Sequence, residues 1–292
     1  GGVLEVAMGS PTLEDIGGMD TLKGWLGRRR RALSEEARTF GLPAPRGLLL
    51  VGVQGCGKSL FAKATAQSLG LPLLRFDLSR LFTRDSAPEE NLRHALTVAG
   101  AMAPVVLWVD EIDKAFAGAT NSSDVTARIF GTFLTWLAEH PDGVFVAATA
   151  NRVDHLPPEL MRKGRFDETF FVDLPDVQVR EEIFAIHIRR SGRDPKRFDL
   201  ERLGRASAKL TGAEIEQSVA EGLSVAFNER RGLQTEDIEQ AISDTVPFVE
   251  TYEEQIKELR EWARRRARSA GHDRSLRDLF VEARDGGESW RS

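Results

Sequence analysis

The sequence has little cysteine, no excess of positive charge and no long apolar run, and each shortage excludes a class of protein. Its one cysteine, Cys56, excludes an internal disulfide framework and a cysteine-based metal site, so we expect a reducing compartment, the cytoplasm or an equivalent stroma. The 40 Lys and Arg residues are outnumbered by 45 Asp and Glu residues, which leaves a net charge of -5. That balance argues against wrapping of nucleic acid and against binding to an anionic membrane.

The apolar runs are too short for a membrane protein. Val105–Val109, one of the longest, falls far below the roughly 20 residues that a membrane-spanning helix needs. Residues 1–20 show no basic-then-apolar export signal, so we expect no membrane partner. With 41% hydrophobic and 29% charged residues, the 292-residue chain has the composition of a globular protein with one large core or two smaller ones.

Five short apolar segments bounded by Gly, Pro or charge have the length and branching of β-strands. They are Gly47–Gly52, Leu73–Leu78, Pro104–Asp110, Val144–Thr149 and Thr169–Asp173. Helical periodicity fills the intervals, at Lys58–Leu69, Glu89–Ala101 and Asp124–Glu139, with a short turn at Pro158–Met161. The alternation predicts an α/β fold with a doubly wound, parallel five-stranded sheet covered by helices on both faces.

After Pro175 the strand signal ends and the pattern becomes helical. The predicted helices are Val177–Arg190, Leu200–Ala208, Gly212–Arg230, Thr235–Thr245 and Glu253–Ala267. Prolines at 175 and 247 mark the predicted domain boundaries. We therefore predict an α/β domain at 1–175, a small helical lid domain at 176–246 and a C-terminal helical extension at 247–292.

A glycine-rich motif joins the first predicted strand to the first predicted helix. Residues 52–59, Gly-Val-Gln-Gly-Cys-Gly-Lys-Ser, match the phosphate-binding pattern G-x-x-x-x-G-K-[ST] of P-loop NTPases in the strand-to-helix context that it requires. The glycines let successive N–H groups point inward at phosphate oxygens, and the helix N-terminus adds partial positive charge. Lys58 would reach the β- and γ-phosphates of ATP, and the Ser59 hydroxyl would be a ligand of Mg²⁺. The residues predicted to contact the nucleotide here are Gln54, Gly55, Cys56, Gly57, Lys58, Ser59 and Leu60.

Cys56 allows two interpretations. A thiol at a helix N-terminus has a lowered pKa and can act as a redox switch. The alternative, which we favour, is a small side chain tolerated in a tight loop.

Two acidic residues follow the apolar strand at 105–109. The carboxyl end of that strand faces the same crevice as the phosphate loop in a doubly wound sheet. Asp110 is suited to positioning Mg²⁺, and Glu111 to acting as a general base on the attacking water. An Asp-Glu pair alone is common at a solvated strand end, and it is the phosphate loop nearby that favours the metal interpretation.

Further segments resemble the AAA+ ATPases, in particular the AAA proper clade. They are Leu13–Gly18, Gly41–Pro45, Val109–Ile112 and Lys163–Asp167, and together they resemble the AAA proteins encoded by unassigned reading frames of algal plastids and cyanobacteria. The resemblance spans roughly residues 13–267. It implies an Mg²⁺-dependent ATPase that works as a homo-oligomeric ring, a hexamer in most such proteins, on an unidentified client protein.

The same resemblance implies roles for residues outside the phosphate loop. Asn151 matches the sensor-1 position, which orients the attacking water, and Arg162 and Arg165 match the arginine fingers that reach a neighbouring subunit's nucleotide. Each has a plainer alternative, since Asn151 could cap a strand and the arginines could be surface charges. The residues implied to hold the nucleoside are Asp15, Ile16, Gly17, His187, Gly212 and Ala213. For His187 the plainer alternative is a half-buried helix histidine.

The pattern departs from the family in the pore loop and carries two basic clusters. Leu81–Glu89 lacks the aromatic-aliphatic-glycine triplet of polypeptide-threading members, which disfavours threading and leaves ATP turnover unaffected. Arg28–Arg31 is one basic cluster, and Arg264–Arg268 lies on a helix with an apolar stripe at Ile256, Leu259 and Trp262. That stripe favours a docking helix with a solvated cationic face over nucleic-acid binding.

Three functions remain at this point. The first is an ATPase whose ring converts hydrolysis into remodelling of a partner protein. The second is a binding module that ATP assembles and slow hydrolysis resets. The third, a clamp-loader-like nucleic-acid protein, is disfavoured by the negative net charge and by Ala213 in place of a sensor-2 arginine.

Overall fold

A seven-stranded sheet organises the molecule. The computed structural model describes residues 3–9, 11–82, 87–117 and 124–271. The strands are β1 (Leu4–Val6), β2 (Gly47–Gly52), β3 (Leu73–Phe76), β4 (Val105–Val109), β5 (Val144–Ala150), β6 (Glu168–Val172) and β7 (Arg268–Ser269). They lie in the order β1-β3-β4-β5-β2-β6-β7.

The five predicted strands are β2 to β6, which are parallel to one another, so the predicted α/β fold class is confirmed. The sheet is wider than predicted because β1 pairs antiparallel with β3 and β7 pairs parallel with β6. Both added strands are edge strands of two or three residues, too short to produce a readable alternation in the sequence.

Four helices, at 20–31, 35–39, 112–117 and 248–251, were not predicted, and the other eight have bounds within two residues of the predictions. The part of the chain that the structure describes has twelve α-helices. They are α1 (Asp20–Arg31), α2 (Glu35–Thr39), α3 (Lys58–Leu69), α4 (Pro88–Ala101), α5 (Ile112–Ala117), α6 (Asp124–Glu139), α7 (Val177–Arg190), α8 (Leu200–Ala206), α9 (Gly212–Asn228), α10 (Thr235–Ser243), α11 (Phe248–Thr251) and α12 (Glu253–Arg266). The predicted turn at Pro158–Met161 is a short 3-10 helix. None of the described helices is both long and apolar enough to cross a membrane.

Two apolar layers cover the sheet, one on each face. Alternate residues of β4 divide between them, since Leu107 belongs to the same cluster as Phe133 of α6 and Trp108 to the same cluster as Phe61 of α3. This alternation is what a strand buried on both faces requires. A third apolar cluster is built by α7 to α10 around Phe184.

The C-terminal helix packs on its own chain. Leu259 and Ala263 of α12 are buried in one layer, and Ile256 is buried in the other. The apolar stripe that suggested a docking helix is thus covered within the molecule, and its Arg264 to Arg266 end is exposed. The division into domains at residues 175 and 246 stays a prediction.

Candidate nucleotide site

One cavity of about 610 Å³ lies at the carboxyl ends of the parallel strands, between the sheet and helices α7 and α9. Its size suits a small-molecule ligand. Every residue predicted to bind the nucleotide lines it, and so do Glu111 and Asn151. The predicted set is Asp15, Ile16, Gly17, Gln54, Gly55, Cys56, Gly57, Lys58, Ser59, Leu60, His187, Gly212 and Ala213.

The strand that carries the phosphate loop begins and ends at a glycine. Gly47 and Gly52 have φ angles of 152° and 157°, and a Cβ atom at Gly52 would lie 2.0 Å from the carbonyl oxygen of Val172. At Gly47 it would lie 2.1 Å from the carbonyl oxygen of Val146. No side chain fits at either end of β2, because the neighbouring strands β5 and β6 occupy the space.

Two further glycines curl the loop that follows β2. Gly55 and Gly57 have φ angles of 78° and 89°, and α3 begins immediately afterwards at Lys58. The carbonyl oxygen of Gly55 accepts a hydrogen bond of 3.0 Å from the backbone N–H of Ala213, at the first turn of α9. The loop therefore has the cradle geometry of a phosphate site, and it touches the predicted lid directly.

Lys58 is buried inside this loop. Its ammonium group donates to the carbonyl oxygens of Gly52 and Val53, at 2.9 and 2.7 Å. Burial lowers the pKa of Lys58 to about 8. A desolvated ammonium group that contacts neutral carbonyl oxygens is stabilised by a bound anion, and a triphosphate is such an anion.

Oxygen atoms suited to Mg²⁺ meet beside the loop. The hydroxyl groups of Ser59 and Thr149 both donate to Oδ1 of Asp110 at 2.7 Å, which joins α3, β5 and the end of β4. Among the described residues no group of three His, Cys, Asp or Glu side chains could hold a metal ion by itself. This donor set fits Mg²⁺, which takes one or two protein oxygens and completes its shell with water and phosphate.

Glu111 and Asn151 are in contact, as their predicted roles require. The Asn151 amide nitrogen donates to Oε1 of Glu111 at 3.2 Å, and the Glu111 backbone N–H donates to the Thr149 hydroxyl at 2.9 Å. Glu111 has a φ of 48°, an uncommon value for a residue with a side chain. Sequence reasoning missed Thr149, although a hydroxyl at the end of an apolar strand was a signal, and it also missed Lys114, whose ammonium lies 2.6 Å from Oε2 of Glu111.

The segment at residues 13–18 forms the opposite wall by packing on α7. A Cβ atom at Gly17 would lie 2.7 Å from a side-chain carbon of Ile183, so glycine permits the close approach. The Gly18 N–H donates to Glu182 at 2.8 Å. Asp15 closes a capping box with Thr12, and the backbone hydrogen bond from Thr12 lowers the pKa of Asp15.

His187 faces the cavity from α7. Burial lowers its pKa below the ordinary value, against the opposing effect of Glu216, whose carboxylate lies 3.6 Å from Nδ1. The ring is therefore mainly neutral at pH 7 and can donate and accept one hydrogen bond each, as contact with a ribose would require.

Cys56 is a buried free cysteine. Burial raises the pKa of its thiol to about 12, despite the opposing effect of Lys58. The helix N-terminus thus fails to activate it, which supports a space-filling role and opposes the redox interpretation.

The two predicted arginine fingers lie away from this cavity. Arg162 is exposed after the 3-10 helix at Pro158–Met161, and Arg165 donates from Nε to the carbonyl oxygen of Leu134 at 3.2 Å. Buried Nη1 of Arg165 has no hydrogen-bond partner among the described residues. Neither side chain lines the wall that the described residues form. Residues 83–86 of the pore-loop segment lie outside the described residues.

Comparison with known proteins agrees with this geometry. Residues 48–174 match the model of a family described as ATPase family associated with various cellular activities (AAA). The chain contains a domain of the AAA family. The chain is 47% identical over 265 residues to the uncharacterized AAA domain-containing protein ycf46 of Pyropia yezoensis, which is 89% of this chain and 54% of that protein.

Two further relatives show the range of similarity. The ycf46 protein of Guillardia theta is 48% identical over 255 residues, which are 86% of this chain and 50% of that protein. The proteasome-activating nucleotidase of Pyrococcus abyssi is 34% identical over 241 residues, which are 77% of this chain and 59% of that protein. The chain spans about half the length of the ycf46 proteins it matches. The predicted resemblance to plastid AAA proteins is confirmed.

Proposed function

We propose that this AAA chain is an Mg²⁺-dependent ATPase that hydrolyses ATP within a homo-oligomeric ring. The observation that carries the proposal is that Lys58, Ser59, Glu111 and Asn151 line one cavity, with Asp110 hydrogen-bonded to Ser59 and Asn151 to Glu111. These are a phosphate-binding cation, a pair of metal ligands and a base with a polar partner.

Each group has a part in phosphoryl transfer. The backbone N–H groups of the loop and Lys58 would bind the phosphates, and Ser59 and Asp110 would hold Mg²⁺, which neutralises phosphate charge. Glu111 would take the proton of the attacking water, with Asn151 orienting that water. Ile16 and Gly17 would hold the base, and His187 would lie beside the ribose.

The position of the arginines supports a ring. Arg162 and Arg165 lie outside the cavity of their own chain, so they can stabilise charge on a transferring phosphoryl group only in another copy. Repeated head-to-tail contacts of this kind close into a ring, and we propose a hexamer. Remodelling of a client protein in the cytoplasm or a plastid stroma completes the proposal, and the client is identified only as a protein.

Sedimentation and turnover test the proposal together. Glu111→Gln should bind ATP, assemble into a larger species with ATP and fail to hydrolyse it, because its amide cannot accept the proton. Glu139→Gln is a matched control at an exposed glutamate of α6, and it should behave as the wild type. Wild-type turnover per subunit should fall on dilution as rings dissociate. Turnover that is independent of dilution would contradict the shared active site.

A second function is favoured by one observation. Both carboxylate oxygens of Glu111 are already engaged, by Asn151 and by Lys114, which restrains the base. In this alternative ATP binding drives assembly and slow hydrolysis only resets it. If the subunits assemble faster than they hydrolyse ATP, at saturating ATP and protein, this second function is favoured over the first.

A further inference from the structure

The segment after the predicted lid returns to the nucleotide cavity. We name residues 247–271 the C-terminal strap, which contains α11, α12 and β7. Because β7 runs parallel to β6 with Ser269 opposite Phe171, the strap ends at the same edge of the sheet as the phosphate loop. Ser269, Ala270 and Gly271 line the cavity there.

The strand order places Ser269, Ala270 and Gly271 at one end of the cavity. From one side to the other the strand ends are β4 with Glu111, β5 with Asn151, β2 with the phosphate loop, β6, and β7. Adjacent strands are about 4.8 Å apart, so β7 lies roughly 14 Å from β5. The transferring phosphate belongs beside Glu111 and Asn151, and the nucleoside therefore extends toward β6 and β7.

An ion pair fastens the strap at this end. Arg260 of α12 donates to Asp173 from Nε and Nη2, each at 2.9 Å, and both side chains are half-buried. Asp173 follows β6 directly and lines the cavity. A two-pronged contact of this geometry fixes orientation as well as distance.

Contacts with α1 and with the lid hold the rest of the strap. The Thr21 hydroxyl donates to the carbonyl oxygen of Gly271, and the Leu22 N–H donates to that of Ala270 at 3.2 Å. At the other end, the Phe248 N–H donates to Glu214 of α9 at 2.6 Å. The strap thus bridges α9 and the sheet beside the cavity.

We propose that the C-terminal strap completes the nucleoside end of the cavity and that Arg260 is a positioning residue for nucleotide binding. The inference rests on the proposed nucleotide function. Ser269 lines the cavity and its hydroxyl makes no hydrogen bond with the described residues, so it is available to a nucleoside.

Calorimetric titration with two probes tests the inference. ADP contains the nucleoside, and inorganic tripolyphosphate has phosphates only. Arg260→Ala should weaken ADP binding about tenfold, the worth of one well-oriented charged contact, and leave tripolyphosphate binding unchanged. Arg265→Ala is the matched control, an exposed arginine of the same helix, and should change neither. Arg260→Lys keeps the charge without the two-pronged contact and should recover part of the ADP affinity.

A second variant tests the wall independently of the ion pair. Ser269→Phe places a ring at the nucleoside end and should weaken ADP binding at least about tenfold. Arg268→Phe, on the opposite face of β7, is its control and should keep ADP affinity.

The outcomes separate this inference from the proposed function. Failure of the wild type to bind ADP would overturn the nucleotide function itself. If the wild type binds ADP while Arg260→Ala and Ser269→Phe match their controls, the strap inference is wrong and the nucleotide function stands. Equal losses for ADP and tripolyphosphate would likewise overturn it, because they would indicate general damage to the fold.

Discussion

The ammonium group of Lys114 lies 2.6 Å from Oε2 of Glu111, one helical turn along α5. The ion pair therefore restrains the position of the predicted general base. The Lys114 side chain is 66% exposed, and an exposed pair of this kind contributes at most about 1 kcal/mol.

Removal of this restraint should raise ATP turnover. Lys114→Ala frees Oε2 of Glu111, and we expect kcat to rise by up to about fivefold, the equivalent of that energy. Lys114→Arg keeps the pair and should match the wild type. Steady-state phosphate release measures both, and a lower kcat in Lys114→Ala would show that the lysine assists the reaction.

The lowered pKa of Lys58 predicts a pH dependence of nucleotide binding. A polyanion favours the protonated ammonium, and the nucleotide-free protein loses that proton near pH 8. Above this pH, binding requires uptake of a proton, so ADP affinity should fall by up to about tenfold per pH unit. Lys58→Arg stays charged and should lose this decline. Titrations between pH 7 and 9.5 measure it, and an affinity that is flat across that range in the wild type would refute the role of Lys58.

Cys56 should resist alkylation in the folded protein. With a pKa of about 12, roughly one thiol in 10⁴ is ionised at pH 8, and only the thiolate reacts. Mass spectrometry after iodoacetamide treatment should show an unmodified native chain and complete labelling in denaturant. Cys56→Ala should keep ADP affinity. Rapid native labelling, or sensitivity of ATP turnover to mild oxidants, would restore the redox interpretation.

A mixture of two inactive variants should regain activity. Glu111→Gln supplies intact arginines, and Arg162→Ala or Arg165→Ala supplies an intact base. In rings mixed at random from equal amounts of the two variants, about one junction in four pairs an intact base with intact arginines, so about a quarter of wild-type turnover should return. Each variant alone is the control. Mixtures that stay inactive, or full activity in either arginine variant alone, would contradict a contribution from the neighbouring subunit.

The sequence predicted the sheet well where burial alone defines a strand. β2, β4 and β5 are buried at every residue and mostly apolar, and their bounds agree with the predictions within a residue or two. β7 has two residues and exists because β6 offers it a hydrogen-bonding edge, which no local pattern encodes. α1 was missed because its buried face is only Leu22, Trp25 and Leu26, beside a run of four arginines.

The candidate site divides in a similar way. Residues from Gln54 to Leu60 are contiguous, so a motif suffices to group them, and Glu111 and Asn151 follow strands whose ends share one edge. Thr149 and Lys114 belong to the site because they contact Glu111, and these contacts depend on positions in the folded chain that no motif encodes. The apolar stripe of α12 predicts that this helix is buried against some surface but does not identify the surface. The sequence therefore could not show that Ser269, Ala270 and Gly271 line the cavity.

The two glycines at the ends of β2 have a consequence for how the molecule can change. Carbonyl oxygens of Val146 and Val172 bar any side chain at Gly47 and Gly52, so neither terminus of that strand tolerates replacement without displacing a neighbour. Backbone packing therefore fixes the position of the phosphate loop relative to the sheet. Sequence change is thus easier to accommodate in the C-terminal strap or the outer helices than at the two ends of β2.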